Sequence, residues 1–274
     1  MSDADILKQY LRVLRKDGGR VGAWTVAAED GDAGGMGVVL FGARRDIHGQ
    51  LQRAAIKFQN PESLPDGTKM ETEGLRSARF AHEFEILQYL QQYANSEYIA
   101  TPYDGGTLTV KVSGGRTVDI QFFAQERMSG ESLETILKRG PLDSNAWLGL
   151  AHDLLQAATA MHRVHVIHQD LKPANVMVHH GHYVTVDLGL ASYINRKDPG
   201  DHPGYSLGWA APEQLSAQFR GGFDGSTNAG HVDIYAVGCI LAAAAGQRPW
   251  QRALTAAMQQ AARGKTDVER QMIL

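Results

Sequence analysis

A single cysteine, Cys239, stands in a chain of 274 residues, and one thiol cannot close an internal disulfide. A scaffold stapled by disulfides is excluded, and a reducing compartment is the expected setting. Cys239 lies within an apolar run and reads as a small buried hydrophobe. Surplus charge is lacking too: 27 Lys and Arg against 30 Asp and Glu leave a net charge of -3. That balance gives no electrostatic ground for nucleic acid or an anionic membrane as the main partner. No apolar run approaches the roughly 18 residues of a transmembrane helix, and the opening MSDADILKQY lacks the basic-then-apolar layout of a signal peptide. Internal repeats and low-complexity tracts are missing as well. These absences leave a globular, cytoplasmic protein of one large or two small domains, with 43% hydrophobic residues for its core.

Glycine is plentiful, 30 residues in all, and much of it punctuates short apolar runs. Residues 3 to 16 predict an amphipathic helix with Ile6, Tyr10, Leu11 and Leu14 on one face, Ser2 or Asp3 as N-cap, and Gly18 and Gly19 ending it. Three strands follow over 24–28, 38–43 and 53–58, with Gly31, Gly34, Gly35 and Gly37 in the first turn. Glycines there let backbone N–H groups approach phosphate oxygens with no side chain in the way. Residues 60 to 72 read as a connection, and 76 to 90 as a helix with Phe80, Phe84, Leu87 and Leu90 on its apolar face. Two further strands, over 98–112 and 117–125, place Gly105, Gly106, Gly114 and Gly115 at turns. Asp143 or Ser144 caps a long helix through His162, whose inward stripe is Trp147, Leu150, Leu154, Ala158 and Met161.

Residues 164–189, VHVIHQDLKPANVMVHHGHYVTVDLG, concentrate the chemistry on a loop followed by a short hairpin. Four side chains there each have a use if a phosphoryl group is transferred. Asp170 supplies a carboxylate to a nucleophilic hydroxyl, while Asn175 and Asp187 offer the oxygen ligands that a hard Mg2+ ion wants. Lys172 neutralises charge building on the phosphoryl in flight. His179, His180 and His182 flank Gly181 in a hairpin turn and are expected to face water rather than bind metal.

The run His168-Gln169-Asp170-Leu171-Lys172-Pro173-Ala174-Asn175, followed by Asp187-Leu188-Gly189, resembles the catalytic and metal-binding loops of the eukaryotic-like (Hanks-type) serine/threonine protein kinases. Ala54-Ala55-Ile56-Lys57 resembles the third strand of that family, and Ala211-Pro212-Glu213 the close of its activation segment. Asp233 matches the buried aspartate of the family's helix F, which holds the catalytic-loop backbone. The resemblance implies an α+β, bilobal protein kinase-like fold with a five-stranded antiparallel N-lobe and a mostly helical C-lobe. On that register residues 1–20 are a helical extension, 21–127 the N-lobe and 128–274 the C-lobe.

ATP and Mg2+ are the implied cofactors, and a serine or threonine hydroxyl of a protein is the implied substrate, with autophosphorylation included. Gly34, Gly35 and Gly37 would cover the phosphates, Lys57 would contact them, and Glu83 would place Lys57. Strand alternation sends Ala55 and Lys57 to one face, so that a small residue leaves room for adenine while the ammonium reaches the phosphates. Val39 and Ala55 would lie above the adenine and Met177 below it. Glu126 and Met128 would bond it through the backbone, with Gln125 at the back of the pocket. Asp170 and Lys172 would act on the transferring group, and Asn175 and Asp187 would hold the metal. Glu85, two residues from Glu83, points elsewhere on a helix and is not expected to reach Lys57.

Several positions depart from the family's pattern. Gln169 replaces its arginine, Leu188 its phenylalanine and Asp32 its first loop glycine, and the C-lobe looks shortened at its end. Gln169 cannot make the charge-assisted bond by which that arginine binds a phosphorylated activation segment, so a segment ordered without phosphorylation or by a partner is expected. Self-association or a partner docking near residues 250–258 is expected to cover the short lobe. Ser192, Tyr193, Tyr205 and Ser206 are candidate self-modification sites. Two rival readings are a nucleotide-binding scaffold without activity and a small-molecule kinase of the aminoglycoside phosphotransferase type; the latter typically lacks the Lys172-Pro173 and Ala-Pro-Glu pairings seen here.

Overall fold

A computed structural model describes residues 10–12, 14, 18–28, 33–34, 37–59, 73–111, 117–194, 206, 208–214 and 229–247. It divides after Ser129 into two compact units. Expectations for Gly31, Asp32, Gly35, the connection 60–72, Gly114, Gly115, Tyr205 and residues 250–258 lie outside the described residues, as do Ser2, Asp3 and Ile6.

The first unit is built on one antiparallel sheet and a helix. Its strands are β1 (Arg20–Val21), β2 (Trp24–Val26), β3 (Ala33–Gly34), β4 (Gly37–Arg45), β5 (Leu51–Gln59), β6 (Pro102–Lys111) and β7 (Thr117–Glu126). They run in the order β1-β2-β4-β5-β7-β6, with β3 paired to β4. Among the described residues the sheet thus has seven strands rather than five. The two extra ones are two residues long, β1 closing a tight hairpin onto β2 and β3 pairing with β4 through Ala33 opposite Val38 and Gly34 opposite Gly37. Gly105 and Gly106 also differ from expectation, lying inside β6 beside a register shift between Pro102 and Asp104. A Cβ on Gly105 would stand 2.9 Å from Phe84 Cε1 and 3.0 Å from the Phe122 carbonyl oxygen, so glycine is there for close approach and not for a turn.

Helix α1 (Glu73–Tyr93) is longer than its apolar spacing suggested. It buries Phe80, Glu83, Ile86, Leu87 and Leu90, while half-buried Phe84 stacks on Phe123 with ring centroids 5.3 Å apart. Among the described N-terminal residues, 10–12 and 14 are helical, and Leu11 and Leu14 join Trp24, Leu40, Ile56 and Phe58 in the core on the opposite sheet face.

The second unit contains α2 (Leu133–Arg139), α3 (Ser144–Arg163), β8 (Val166–Ile167), β9 (Val176–His179), β10 (His182–Thr185), β11 (Ser192–Tyr193) and α4 (Ala229–Ala244). Asp143 caps α3 by accepting from the N–H groups of Asn145 and Ala146, both at 2.9 Å, as its position before an apolar stripe predicts. Leu150, Leu154, Ala158 and Met161 are buried along α3, and Trp147 donates through Nε1 to the Leu241 carbonyl at 2.8 Å, tying α3 to α4. Cys239 of α4 is buried, and burial pushes its thiol pKa up, which keeps it protonated and unreactive. Among the described residues no helix is long and apolar enough to cross a membrane.

Candidate active site

In the first unit, strand register decides which side chains share a surface. Val39 lies opposite Lys57, and Lys57 opposite Phe123, across β4, β5 and β7. Ala55 lies opposite Gln125 in the same ladder. Directly paired residues project to one side of a sheet, so Val39, Ala55, Lys57, Phe123 and Gln125 occupy one face. Ala54, Ile56 and Phe58 alternate with them and fill the core on the other. Gly34 pairs with Gly37 where β3 meets β4. Glu126 N already donates to the Thr101 carbonyl at 2.7 Å, so that N–H is engaged. Met128 is buried.

Lys57 Nζ donates to both oxygens of Glu83, at 2.7 and 2.8 Å. Their side chains are 13% and 4% exposed, so the charges attract each other in a medium of low polarity. Glu85 is exposed on the far side of α1 and lies near His82. Removing the ammonium leaves a buried carboxylate without its main countercharge. Lys57→Met is therefore expected to lower unfolding stability by about 3–5 kcal/mol, read as a drop in the denaturant midpoint. An unchanged midpoint would mean that the pair is not desolvated.

In the second unit, the end of β8 leads into the loop at residues 168–172. Asp233 of α4 is 1% exposed, yet its carboxylate is fully partnered. Oδ1 accepts from Gln169 N at 2.9 Å, and Oδ2 from His168 N and His162 Nε2, both at 2.9 Å. The two N–H donors belong to the loop itself, as the sequence resemblance implied. From the sequence His162 is only the end of α3. Its ring fits because residue 230 is glycine: a Cβ there would lie 3.1 Å from ring atoms Cε1 and Nδ1.

Buried His168 links the two loops. Its Nδ1 accepts from Asp170 N at 3.3 Å and its Nε2 lies 3.3 Å from the Val186 carbonyl, which places the ring proton on Nε2. Asp170 is also buried. Its Oδ2 accepts from Lys172 Nζ at 2.7 Å and Asn175 Nδ2 at 3.3 Å, and Asn175 Nδ2 donates to the Asp170 carbonyl at 2.9 Å. Oδ1 is buried and has no hydrogen-bond partner among the described residues. Lys172 Nζ also donates to Ser206 Oγ at 2.7 Å, a partner 34 residues away that no local pattern connects with it.

The hairpin closes with Val176 opposite Thr185, and Val186 N donates to the Asn175 carbonyl at 2.9 Å. Asn175 and Asp187 are thereby brought to the same end of the hairpin. Asp187 takes a positive φ of 61° and Gln169 one of 65°, which costs about 1–2 kcal/mol for a non-glycine residue and is held in place by the surroundings. The Asn175 amide group spends its N–H donors inside the loop, so its oxygen is the end available to a cation. One amide oxygen and one carboxylate suit Mg2+ held jointly with phosphates, which keeps few protein ligands. Among the described residues, no group of three or more His, Cys, Asp or Glu gathers as a protein-only metal cage. Met177 lies on β9 and bridges to Ser132. His180 is exposed at the hairpin turn, and His182 approaches Asp153 with Nδ1 3.5 Å from Oδ2.

Residues 33–272 match the family described as the protein kinase domain. A probable serine/threonine-protein kinase of Thermomonospora curvata, PkwA, is 28% identical over 240 residues, covering 85% of this chain and 28% of that protein. The serine/threonine-protein kinase PrkC of Bacillus subtilis is 27% identical over 167 residues, 59% of this chain and 24% of that protein. The dual specificity protein kinase Ttk of Danio rerio is 25% identical over 202 residues, 68% of this chain and 17% of that protein. The chain spans less than a third of the length of each of these three relatives.

Proposed function

We propose, from the premise that this chain belongs to the protein kinase domain family and its Hanks-type superfamily, that it transfers the γ-phosphoryl group of ATP to serine or threonine hydroxyls of proteins. The observation that carries the reading is the asymmetric Asp170 carboxylate. One oxygen is held by Lys172 and Asn175, and the other is buried and unpartnered among the described residues. A buried acceptor left open costs free energy unless something donates to it, and an acceptor hydroxyl is such a donor.

In this reading the hydroxyl hydrogen-bonds to Asp170 Oδ1, which orients it and takes its proton. A bond forms between the hydroxyl oxygen and the γ-phosphorus, the bond from that phosphorus to the β–γ bridging oxygen breaks, and ADP leaves with the electron pair. An ammonium has three donors, two of which Lys172 uses on Asp170 and Ser206; the third is assigned to the phosphoryl in flight. Lys57, held by Glu83, positions the α- and β-phosphates, and Gly34, Gly35 and Gly37 cover them. Adenine is assigned to Val39, Ala55, Met177 and the backbone of Glu126 and Met128. Asn175 and Asp187 would hold Mg2+, which supplies neutralisation of the phosphate charge when bound.

Serine or threonine specificity is supported by Lys172 within Asp-Leu-Lys-Pro-Ala-Asn and by its bond to Ser206, which ties the transfer site to the segment before Ala-Pro-Glu. The names of two relatives point the same way, and that of the third allows tyrosine as well. Incubation with γ-labelled ATP and a mixed Ser, Thr and Tyr peptide library tests the reading. Label should appear on serine and threonine and fall to background when EDTA removes Mg2+. Label on tyrosine alone would overturn the specificity, and no label with Mg2+ present would overturn the activity.

A further inference from the structure

Gln169, the residue immediately before Asp170, is held at three of its polar groups by three separate parts of the chain. Its N–H goes to Asp233 of α4 at 2.9 Å, its side-chain Nε2 donates to Ser192 Oγ of β11, and its carbonyl accepts from Gln214 Nε2 at 2.8 Å. Gln214 follows Ala-Pro-Glu and is 4% exposed. Its amide is satisfied at both ends, because Oε1 accepts from Ala211 N at 2.9 Å. A buried amide bonded at both its oxygen and its nitrogen is an orienting device, since turning it over would set donor against donor and acceptor against acceptor. It grips a residue whose backbone sits at a φ of 65°, a conformation that relaxes unless it is held.

We infer that Gln214 is a positioning residue for the proposed transfer: it clasps the Gln169 carbonyl, and so fixes the backbone that aims the Asp170 carboxylate. The clasp is uncharged throughout, as is the Gln169–Ser192 bond on the other side. Ser192, a candidate self-modification site on sequence grounds, is 8% exposed beneath that bond and serves as an anchor of the loop.

The inference rests on the kinase reading for its catalytic consequence, so the test carries a readout that does not need activity. Gln214→Met removes both bonds at similar volume. Gln214→Glu keeps volume and the acceptor for Ala211 N, but sets a carboxylate oxygen against the Gln169 carbonyl. The clasp predicts that kcat falls by about 10²-fold in Gln214→Met and further in Gln214→Glu, with KM for ATP held within about twofold. Backbone amide exchange over residues 166–172 should quicken in both variants. A side chain that merely fills space predicts wild-type kcat and wild-type exchange in Gln214→Met, whose volume is similar and whose side chain is apolar. Wild-type exchange in both variants, or a loss in Glu no deeper than in Met, overturns the inference. If the wild-type protein transfers no phosphate, the reading under Proposed function fails by itself, and exchange alone decides the clasp.

Discussion

Asp170→Asn is expected to lower kcat by about 10²–10⁴-fold while leaving the affinity for Mg-ATP within about twofold of wild type. The substitution is isosteric, so the reason lies in hydrogen-bond direction. Lys172 Nζ and Asn175 Nδ2 both donate to the Oδ2 position, so the new amide must put its oxygen there. Its NH2 then occupies the Oδ1 position, which is buried and otherwise unpartnered among the described residues. A donor now stands where the acceptor hydroxyl needs an acceptor, and the hydroxyl loses both its orientation and its proton sink. Lys172 and Asn175, assigned to the phosphoryl group and the metal, keep an acceptor at the Oδ2 position, and Lys172 keeps Ser206. Single-turnover transfer, measured beside equilibrium binding of Mg-ATP, separates these quantities. A variant that retains more than about a tenth of wild-type kcat would remove Asp170 from the reacting atoms.

How much of this was legible in the sequence depended on whether period or distance carried the information. The pairing of Lys57 with Glu83 rather than Glu85 follows from two short-range rules. Alternation puts Lys57 opposite the core face of β5, and the helical period puts Glu83, but not Glu85, on the buried stripe of α1 with Phe80, Leu87 and Leu90. The joint position of Asn175 and Asp187 follows likewise from a hairpin whose turn is marked by Gly181. Strand number was less legible, because a two-residue strand such as β1 or β3 shows no alternation to detect. Gly105 and Gly106 read as a turn because glycine signals both turns and close packing; for Gly105 packing is the reason, set by Phe84, 21 positions earlier, and by Phe122 and Phe123 of the neighbouring strand. His162 and Gln214 carried no local signal at all. Their partners lie 71 and 45 residues away, and a polar residue near the end of a helix usually faces water. The positive φ of Gln169 and Asp187 was equally hidden, since neither type demands it and the surrounding bonds impose it.

Asp233 offers the sharpest separation between holding the fold and aiming the loop. Its carboxylate accepts three hydrogen bonds with a side-chain exposure of 0%. Asp233→Ala leaves the N–H groups of His168 and Gln169 and one ring nitrogen of His162 without their acceptor. At about 1–3 kcal/mol for each abandoned donor, a loss of about 4 kcal/mol or more is expected, large against the stability of an ordinary domain. Asp233→Asn is the more informative change, because it keeps the volume and one acceptor. The amide oxygen belongs at the Oδ2 position, where it still serves His162 and His168 N. The NH2 group then opposes Gln169 N–H, a single donor–donor clash placed one residue before Asp170. Asp233→Asn should therefore lose less stability than Asp233→Ala, yet lower kcat by at least about tenfold through a displaced carboxylate. Urea midpoints and kcat for the two variants give four numbers to compare. If Asp233→Asn matched the wild type in both quantities, the carboxylate would be packing rather than aiming the loop. If its kcat fell only in proportion to the unfolded fraction, the same conclusion would hold, because a loop correctly aimed in every folded molecule loses activity only by losing molecules.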